Sequence, residues 1–152
     1  MTGFVLDNSV SMRWLLASEK ISDQNYSESV LQSMKYFDAF VPTLWHLEAV
    51  SVLIGAEKRS EVSIGEIEAF ISQLENLPIH VDTLTTHQAF NRTMTLSKAY
   101  NISSYDASYL ELSIRKGYPL ASLDKKLLKA TKQANVEIYK PDLCNSATVI
   151  RT

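Results

Sequence analysis

Two aspartates stand where a carboxylate could bind a ligand rather than only face water. Asp7 and Asp124 each follow a short apolar segment, residues 4–6 and 120–122, that is predicted to form a β-strand. Because open parallel sheets bind ligands at the carboxyl ends of their strands, both carboxylates are expected at that edge of a sheet. Taken alone, however, each is better explained as the N-cap of the helix that follows it.

Two further acids lie in predicted helices. Glu48 falls within residues 44–56, a nearly continuous apolar stretch, and a helix that is apolar all round is expected to be buried. A carboxylate there is unfavourable unless it is paired or bound to a cation, so a functional role and an ion-paired glutamate at a helix edge are both open. Asp106 falls in the first turn of a helix, where the helix dipole already favours an acid. Glu111 is interpreted as a solvated or ion-paired surface residue outside this group.

Considered together, the four acids predict a cation site. Strand ends and helix starts gather at one edge of a parallel sheet, and carboxylates that meet there repel one another, which raises their pKa values unless a cation is bound. Mg²⁺ and Mn²⁺ prefer oxygen ligands. A cation at this edge could activate a water and stabilise a leaving oxygen, as phosphodiester cleavage requires.

Strands and helices alternate along the chain. Strands are predicted at residues 4–6, 39–41, 79–81, 120–122 and 136–138, and helices at about 8–18, 22–37, 43–58, 63–76, 85–100, 104–116 and 124–134. Ser63 and Glu66 form a capping-box pattern, and Gly117 is a natural helix stop. Such alternation indicates a parallel sheet of about five strands covered by helices on both faces.

Composition narrows the class of protein. The 152 residues predict one domain over 1–141 and leave a tail, 142–152, unassigned. A net charge of −2 argues against binding nucleic acid through bulk positive potential. The single cysteine, Cys144, excludes an intramolecular disulfide and fits a reducing cytoplasm. No signal peptide or membrane-spanning run is present in the sequence, so a cytoplasmic protein is expected.

Four segments resemble, in order, the sequence motifs of PIN-domain nucleases, and in particular those of VapC-type toxins. Residues 5–10, VLDNSV, look like the opening D-x-S motif, and 41–48, VPTLWHLE, resemble the second, in which a glutamate follows a strand and a proline. Residues 105–112, YDASYLEL, are similar to the third, D-A-x-Y-x-x-L. Residues 120–127, LASLDKKL, resemble the fourth, T-x-D, with Ser122 in place of the commoner threonine. The resemblance covers residue 4 to about residue 140.

This resemblance implies a PIN-like three-layer α/β/α sandwich and a metal-dependent endoribonuclease. It implies that the catalytic acids, which hold Mg²⁺ or Mn²⁺, are Asp7, Glu48, Asp106 and Asp124. Ser9 and Ser122 would orient those carboxylates or hold water. The resemblance also implies the toxin of a type II toxin–antitoxin pair: a homodimer that cleaves RNA and is held inactive by its antitoxin, whose C-terminal segment covers the groove.

Basic residues near the same edge are candidates for contacts with RNA phosphates. Arg13 and Lys125 are favoured, and the wider set adds Arg115, Lys116, Lys126 and Lys129. Tyr109 is expected in the core or at the dimer interface. Three alternatives stay open: DNA as the substrate, a phosphatase that uses Asp7 as nucleophile, and a non-catalytic PIN-like module that binds nucleic acid or protein. The presence of all four acids favours the nuclease over the binding module.

Overall fold

A parallel sheet lies at the centre of the fold. The computed structural model describes residues 3–141, so the predicted tail and Cys144 lie outside the described residues. The strands are β1 (Gly3–Leu6), β2 (Asp38–Val41), β3 (Ile79–Val81) and β4 (Leu120–Ala121). They pair in the order β3-β2-β1-β4, and every pairing is parallel. The α/β class predicted from the alternation of elements is confirmed.

Helices connect the strands and cover the sheet. They are α1 (Asn8–Ser11), α2 (Ile21–Ser33), α3 (Trp45–Lys58), α4 (Ile64–Glu75), α5 (Thr85–Gln88), α6 (Met94–Tyr100), α7 (Ser104–Lys116) and α8 (Lys125–Gln133). The arrangement is compatible with a three-layer α/β/α sandwich. No helix within residues 3–141 is long and apolar enough to cross a membrane.

Local signals in the sequence locate several helix ends correctly. The capping box of Ser63 and Glu66 is formed before α4, and Gly117 ends α7 with a left-handed φ of 68°. The first predicted helix is shorter than expected, because α1 tightens into a 3₁₀ turn at Met12–Trp14 and ends there. The single helix predicted over 85–100 is interrupted by a π-helical turn at Ala89–Thr93.

The prediction of a fifth strand at residues 136–138 is wrong, because the described sheet has four strands. Only one isolated parallel bridge, between Leu120 and Ile138, marks the place of a fifth. Two features limit pairing there. Strand β4 has just two residues, and the N–H of Val136 bonds to the carbonyl of Thr131 in α8 instead of joining a strand.

Strand order creates a crevice beside β1. The chain builds outward from β1 through β2 to β3, and then returns to place β4 on the other side of β1. Connections that diverge from neighbouring strands leave an opening at the strands' carboxyl ends, which is where open α/β sheets bind ligands. Strand β1 is buried along its whole length, and Phe4 stacks on Tyr139 at 4.1 Å between ring centroids. The strand at the base of this opening is therefore part of the core.

Helix α3 is not buried all round, contrary to the expectation from its apolar sequence. One face packs inward through Trp45 and Leu53, whereas Leu47 on the opposite face is 73% exposed. Val50 and Ile54 are exposed on that face as well. Glu48 is thus only partly buried, although the apolar stretch around it predicts full burial.

Candidate active site

Asp7 lies at the carboxyl end of β1, where its carboxylate is held by two serines. The hydroxyls of Ser9 and Ser122 donate to Oδ2 of Asp7 at 2.6 and 2.7 Å. Each hydroxyl also accepts a backbone N–H from the turn after β4: Ser9 from Leu123 at 2.9 Å and Ser122 from Asp124 at 3.1 Å. The two serines predicted to orient carboxylates therefore join Asp7 to the segment that carries Asp124.

The two strand-end aspartates differ in how they meet the following helix. Asp124 is an N-cap, since its Oδ1 accepts the N–H of Leu127 at 2.9 Å. Asp7 occupies the corresponding position before α1 but makes no side-chain cap bond. The capping explanation therefore accounts for part of the role of Asp124 and fails for Asp7. A buried carboxylate that caps nothing requires another explanation.

Glu48 reaches the same region from the first turn of α3. Its Oε1 accepts a hydrogen bond of 2.6 Å from the hydroxyl of Tyr109, whose side chain is fully buried in α7. Asn8 fixes the start of α3, because its side-chain amide donates to the carbonyl of Trp45 at 2.8 Å. Burial and the nearby charges of Asp7 and Glu48 raise the pKa of Tyr109, so its hydroxyl stays protonated as a donor.

Asp106 lies in the first turn of α7, as its position in the sequence predicts. Ser103 caps this helix by accepting the N–H of Asp106 at 3.1 Å. Partial burial and the charges of Asp124 and Asp7 raise the pKa of Asp106 to about 6, and nearby Lys126 offsets part of that rise. Asp106 is thus within electrostatic range of the acids that end β1 and follow β4.

Three of the four acids have raised pKa values, and the charges of other acids in the group contribute to each rise. Burial is the largest cause of the raised pKa of Asp7, and the charge of Asp124 adds to it. Burial also raises the pKa of Glu48, and the charges of Asp7 and Asp106 raise it further. Like charges brought together disfavour ionisation. The four residues that the sequence singled out are therefore linked by electrostatic interactions, and their role as one site stays a prediction.

The four acids lie outside the ion pairs formed in the described part of the chain. Within residues 3–141, none of the ion pairs involves Asp7, Glu48, Asp106 or Asp124. The same part of the chain contains no set of three or more His, Cys, Asp or Glu side chains already spaced as ligands of one metal ion. The acids face a common region without closing around a single point.

The basic candidates have different environments. Arg13 lies in the 3₁₀ turn and forms no ion pair with the acids among the described residues, while Lys125 is exposed at the first position of α8. Lys116 lies over the ring of Phe40 at 5.1 Å, in a cation–π contact. Lys126 is close enough to Asp106 to lower its pKa. Of the basic candidates, Lys126 is thus the one whose charge acts on a member of the acidic group among the described residues.

Arg115 is held in an ion network that the sequence reasoning missed. Its guanidinium donates to both carboxylate oxygens of Asp82, at 3.0 and 2.6 Å, and to both of Glu111, at 2.7 and 3.0 Å. Asp82 follows β3 as Asp7 follows β1, but it belongs to this network. Although burial acts to raise the pKa of Asp82, the bonds and charge of Arg115 lower it overall. In the sequence, the pattern that could have identified Asp82 is its position directly after the strand segment Ile79–Val81.

Comparison with known proteins shows the fold alone. No protein-family model matches the chain, and no curated protein matches it either. The crystal structure of PAE2754 from Pyrobaculum aerophilum is similar, with a TM-score of 0.63 and 16% sequence identity. The similarity covers 86% of this chain and 81% of that chain. At this level of identity the two proteins share an architecture, and the site must be interpreted from its own geometry.

Proposed function

We propose that this protein is a PIN-like, metal-dependent endoribonuclease that hydrolyses RNA phosphodiester bonds. The observation that carries the proposal is the convergence of four carboxylates at the crevice beside β1. Burial and the charges of neighbouring acids raise the pKa values of Asp7, Glu48 and Asp106, and no basic side chain forms an ion pair with the four acids among the described residues. Such a group is electrostatically unfavourable by itself and suits a divalent cation.

The donor chemistry of the site fits Mg²⁺ or Mn²⁺. Asp7, Glu48, Asp106 and Asp124 offer only carboxylate oxygens, which these hard cations prefer, and the neighbouring serines add hydroxyl oxygens. A bound cation would supply an activated water and a stabilised leaving oxygen for phosphodiester hydrolysis. Because the acids do not surround one point as they stand, binding requires their carboxylates to draw together.

The chain's own residues orient this group. Ser9 and Ser122 fix one oxygen of Asp7, and Tyr109 fixes one oxygen of Glu48. Asp124 is anchored by its cap bond to Leu127. Partners that orient ligands in this way strengthen metal sites and restrict the geometry in which a substrate phosphate can approach.

The resemblance in sequence extends the proposal to a biological role. The protein would be the toxin of a type II toxin–antitoxin pair, active as a homodimer and inhibited by a cognate antitoxin. The exposed apolar residues Leu47, Val50 and Ile54 of α3 support a protein contact, since contiguous apolar surface commonly marks an interface. Exposed Lys125, next to Asp124, supports contact with RNA phosphate.

Cleavage of total RNA by the purified protein tests this proposal. With Mg²⁺ or Mn²⁺ we expect discrete fragments, and we expect none with EDTA or with the Asp7→Asn variant. Intact RNA from folded, antitoxin-free wild-type protein under both metals would contradict the proposal.

A non-catalytic module that binds nucleic acid or protein is the second candidate. The observation that favours it is that the acids are not spaced as ready-made metal ligands within residues 3–141. RNA that is bound but left intact under both metals would support this candidate. Cleavage of single-stranded DNA in place of RNA would keep the nuclease and change its substrate.

A further inference from the structure

A polar groove runs between the end of α6 and the outer face of α8. One wall is formed by four residues of α8 at the spacing i, i+3, i+4 and i+7, namely Lys126, Lys129, Ala130 and Gln133. Residues with this spacing share one face of a helix and span about 10 Å along its axis. The groove has a volume of about 350 Å³, within the range of sites that hold small ligands or single nucleotide units.

The opposite wall is formed by the C-terminal end of α6 and the residues that follow it. Tyr100 lines the groove and, as a partly buried residue, also packs against the core. Asn101 ends the helix in the left-handed conformation, with φ 52°, and its side chain is exposed. An aromatic ring and an exposed amide thus face two lysines across the groove.

This groove is linked to the candidate active site through helix α8. Helix α8 begins directly after Asp124, and Lys126 acts electrostatically on Asp106. Lys129 lies about one turn further from the acids along the same face. Positive charge therefore begins beside the acidic group and extends away from it, on a protein whose net charge is −2.

We propose that this groove binds the single-stranded RNA that flanks the cleaved phosphodiester. Lys126 and Lys129 neutralise successive phosphates, and Tyr100 offers a surface on which a base can stack. Single-strand binding sites combine a basic track with aromatic side chains in this way. The proposal rests on the proposed function in one respect, namely that the scissile phosphate lies at the four acids.

RNA binding without cleavage tests the groove by itself. The probe is a fluorescein-labelled 12-nucleotide single-stranded RNA of mixed sequence, followed by anisotropy in EDTA over a range of salt concentrations. The groove variant is Lys126→Gln/Lys129→Gln. The control is Lys98→Gln/Lys132→Gln, which removes the same total charge from α6 and α8, the helices on either side of the groove, but from residues that do not line it.

We expect the groove variant to bind RNA on the order of tenfold more weakly at moderate salt. Its slope of log Kd against log salt should fall by about 1.4, at about 0.7 for each lost phosphate contact. The control should retain the wild-type slope. Equal weakening of both variants, unchanged binding by the groove variant, or no RNA binding by the wild type would each overturn the proposal.

Two further results separate this proposal from its alternatives. Displacement of the RNA by polyglutamate as effectively as by unlabelled RNA would assign the groove to an acidic protein segment and overturn the proposal. If the groove variant loses RNA binding in EDTA while wild-type protein fails to cleave RNA with Mn²⁺, the groove proposal holds and the nuclease proposal fails. If the groove variant binds RNA normally while wild-type protein cleaves it, the nuclease proposal holds and the groove proposal fails.

Discussion

The hydroxyl of Tyr109 donates a hydrogen bond of 2.6 Å to Oε1 of Glu48 and so links helix α7 to helix α3 across the candidate active site. The donor is fully buried and comes from the helix that carries Asp106. A carboxylate held in this way has one oxygen fixed and a restricted orientation for the other. Orientation of Glu48 therefore depends on a residue 61 positions away in the chain.

Replacing Tyr109 with phenylalanine removes this donor and keeps the ring in the core. We expect the concentration of Mn²⁺ that gives half-maximal cleavage to rise by roughly ten- to a hundredfold, as for other residues that orient metal ligands. The matched control is Tyr139→Phe, which removes a buried tyrosine hydroxyl bonded to Ser33 instead. An equal effect of the two substitutions on Mn²⁺ dependence would show that Tyr109 acts only through stability.

Ser122→Ala tests the support of Asp7. The substitution removes the donor to Asp7 Oδ2 and the acceptor for the N–H of Asp124, so both aspartates lose an orienting contact. We expect apparent affinity for Mn²⁺ to fall by at least about tenfold. Ser108→Ala is the control, because this serine is also largely buried but bonds to the carbonyl of Tyr105. Wild-type affinity in Ser122→Ala would remove Ser122 from the site.

Stability of the metal-free protein should increase as pH falls from 8 to 5. The pKa of Asp106 is about 6 in the folded protein and near 3.8 ordinarily, so the folded state takes up a proton first. A carboxyl whose folded pKa is raised stabilises the fold fully below the unfolded pKa, and this stabilisation is lost as pH rises through the folded pKa.

Thermal unfolding in EDTA measures this dependence. The Tm of the wild type should rise by a few °C between pH 8 and pH 5, and this rise should be smaller in Asp106→Asn. The difference between the two proteins isolates Asp106 from other groups that titrate in this range. An identical pH dependence in the variant would show that the carboxyl of Asp106 is not perturbed.

Arg115→Ala should destabilise the fold without acting on the acids directly. It leaves the buried carboxylates of Asp82 and Glu111 without their cation, and breaking a buried ion pair in this way costs about 3 kcal/mol or more. The control is Arg59→Ala, which removes an exposed pair with Glu61 and should leave the free energy of unfolding nearly unchanged, because solvent screens exposed ion pairs. Urea denaturation distinguishes the two. Equal and small effects would contradict a structural role for Arg115.

The strand-end pattern predicts the place of an acid but not its role. Asp7, Asp82 and Asp124 all follow a short apolar segment, and all three lie at the carboxyl end of a strand. Asp82 is neutralised by Arg115, which lies 33 positions later in the chain. Helix α7 carries Arg115 next to Asp82. From the sequence, Arg115 was only one of the wider set of candidates for RNA contact, since a long-range ion pair leaves no local pattern.

Hydrophobic pattern alone also overestimates regular structure. Residues 136–138 have the composition of a strand, yet the N–H of Val136 is taken by α8 and only Ile138 pairs with β4. Helix α3 has the composition of a buried helix, yet Leu47 is largely exposed. Burial is decided by neighbouring elements, which a window of sequence does not contain. By contrast, local patterns in the sequence are enough to predict the order of the elements and to identify the four acids as candidates.

Direct measurement of Mn²⁺ binding by isothermal titration calorimetry tests the central claim, that the four acids jointly hold a divalent cation. We expect saturable binding of one or two Mn²⁺ by the wild type and its loss in Asp7→Asn and Asp106→Asn. Asp7→Asn should be at least as stable as the wild type, since it removes a buried charge whose pKa is raised, so the loss cannot be attributed to unfolding. Absence of Mn²⁺ binding by the wild type would contradict the account. So would Mn²⁺ binding by both folded variants that equals binding by the wild type.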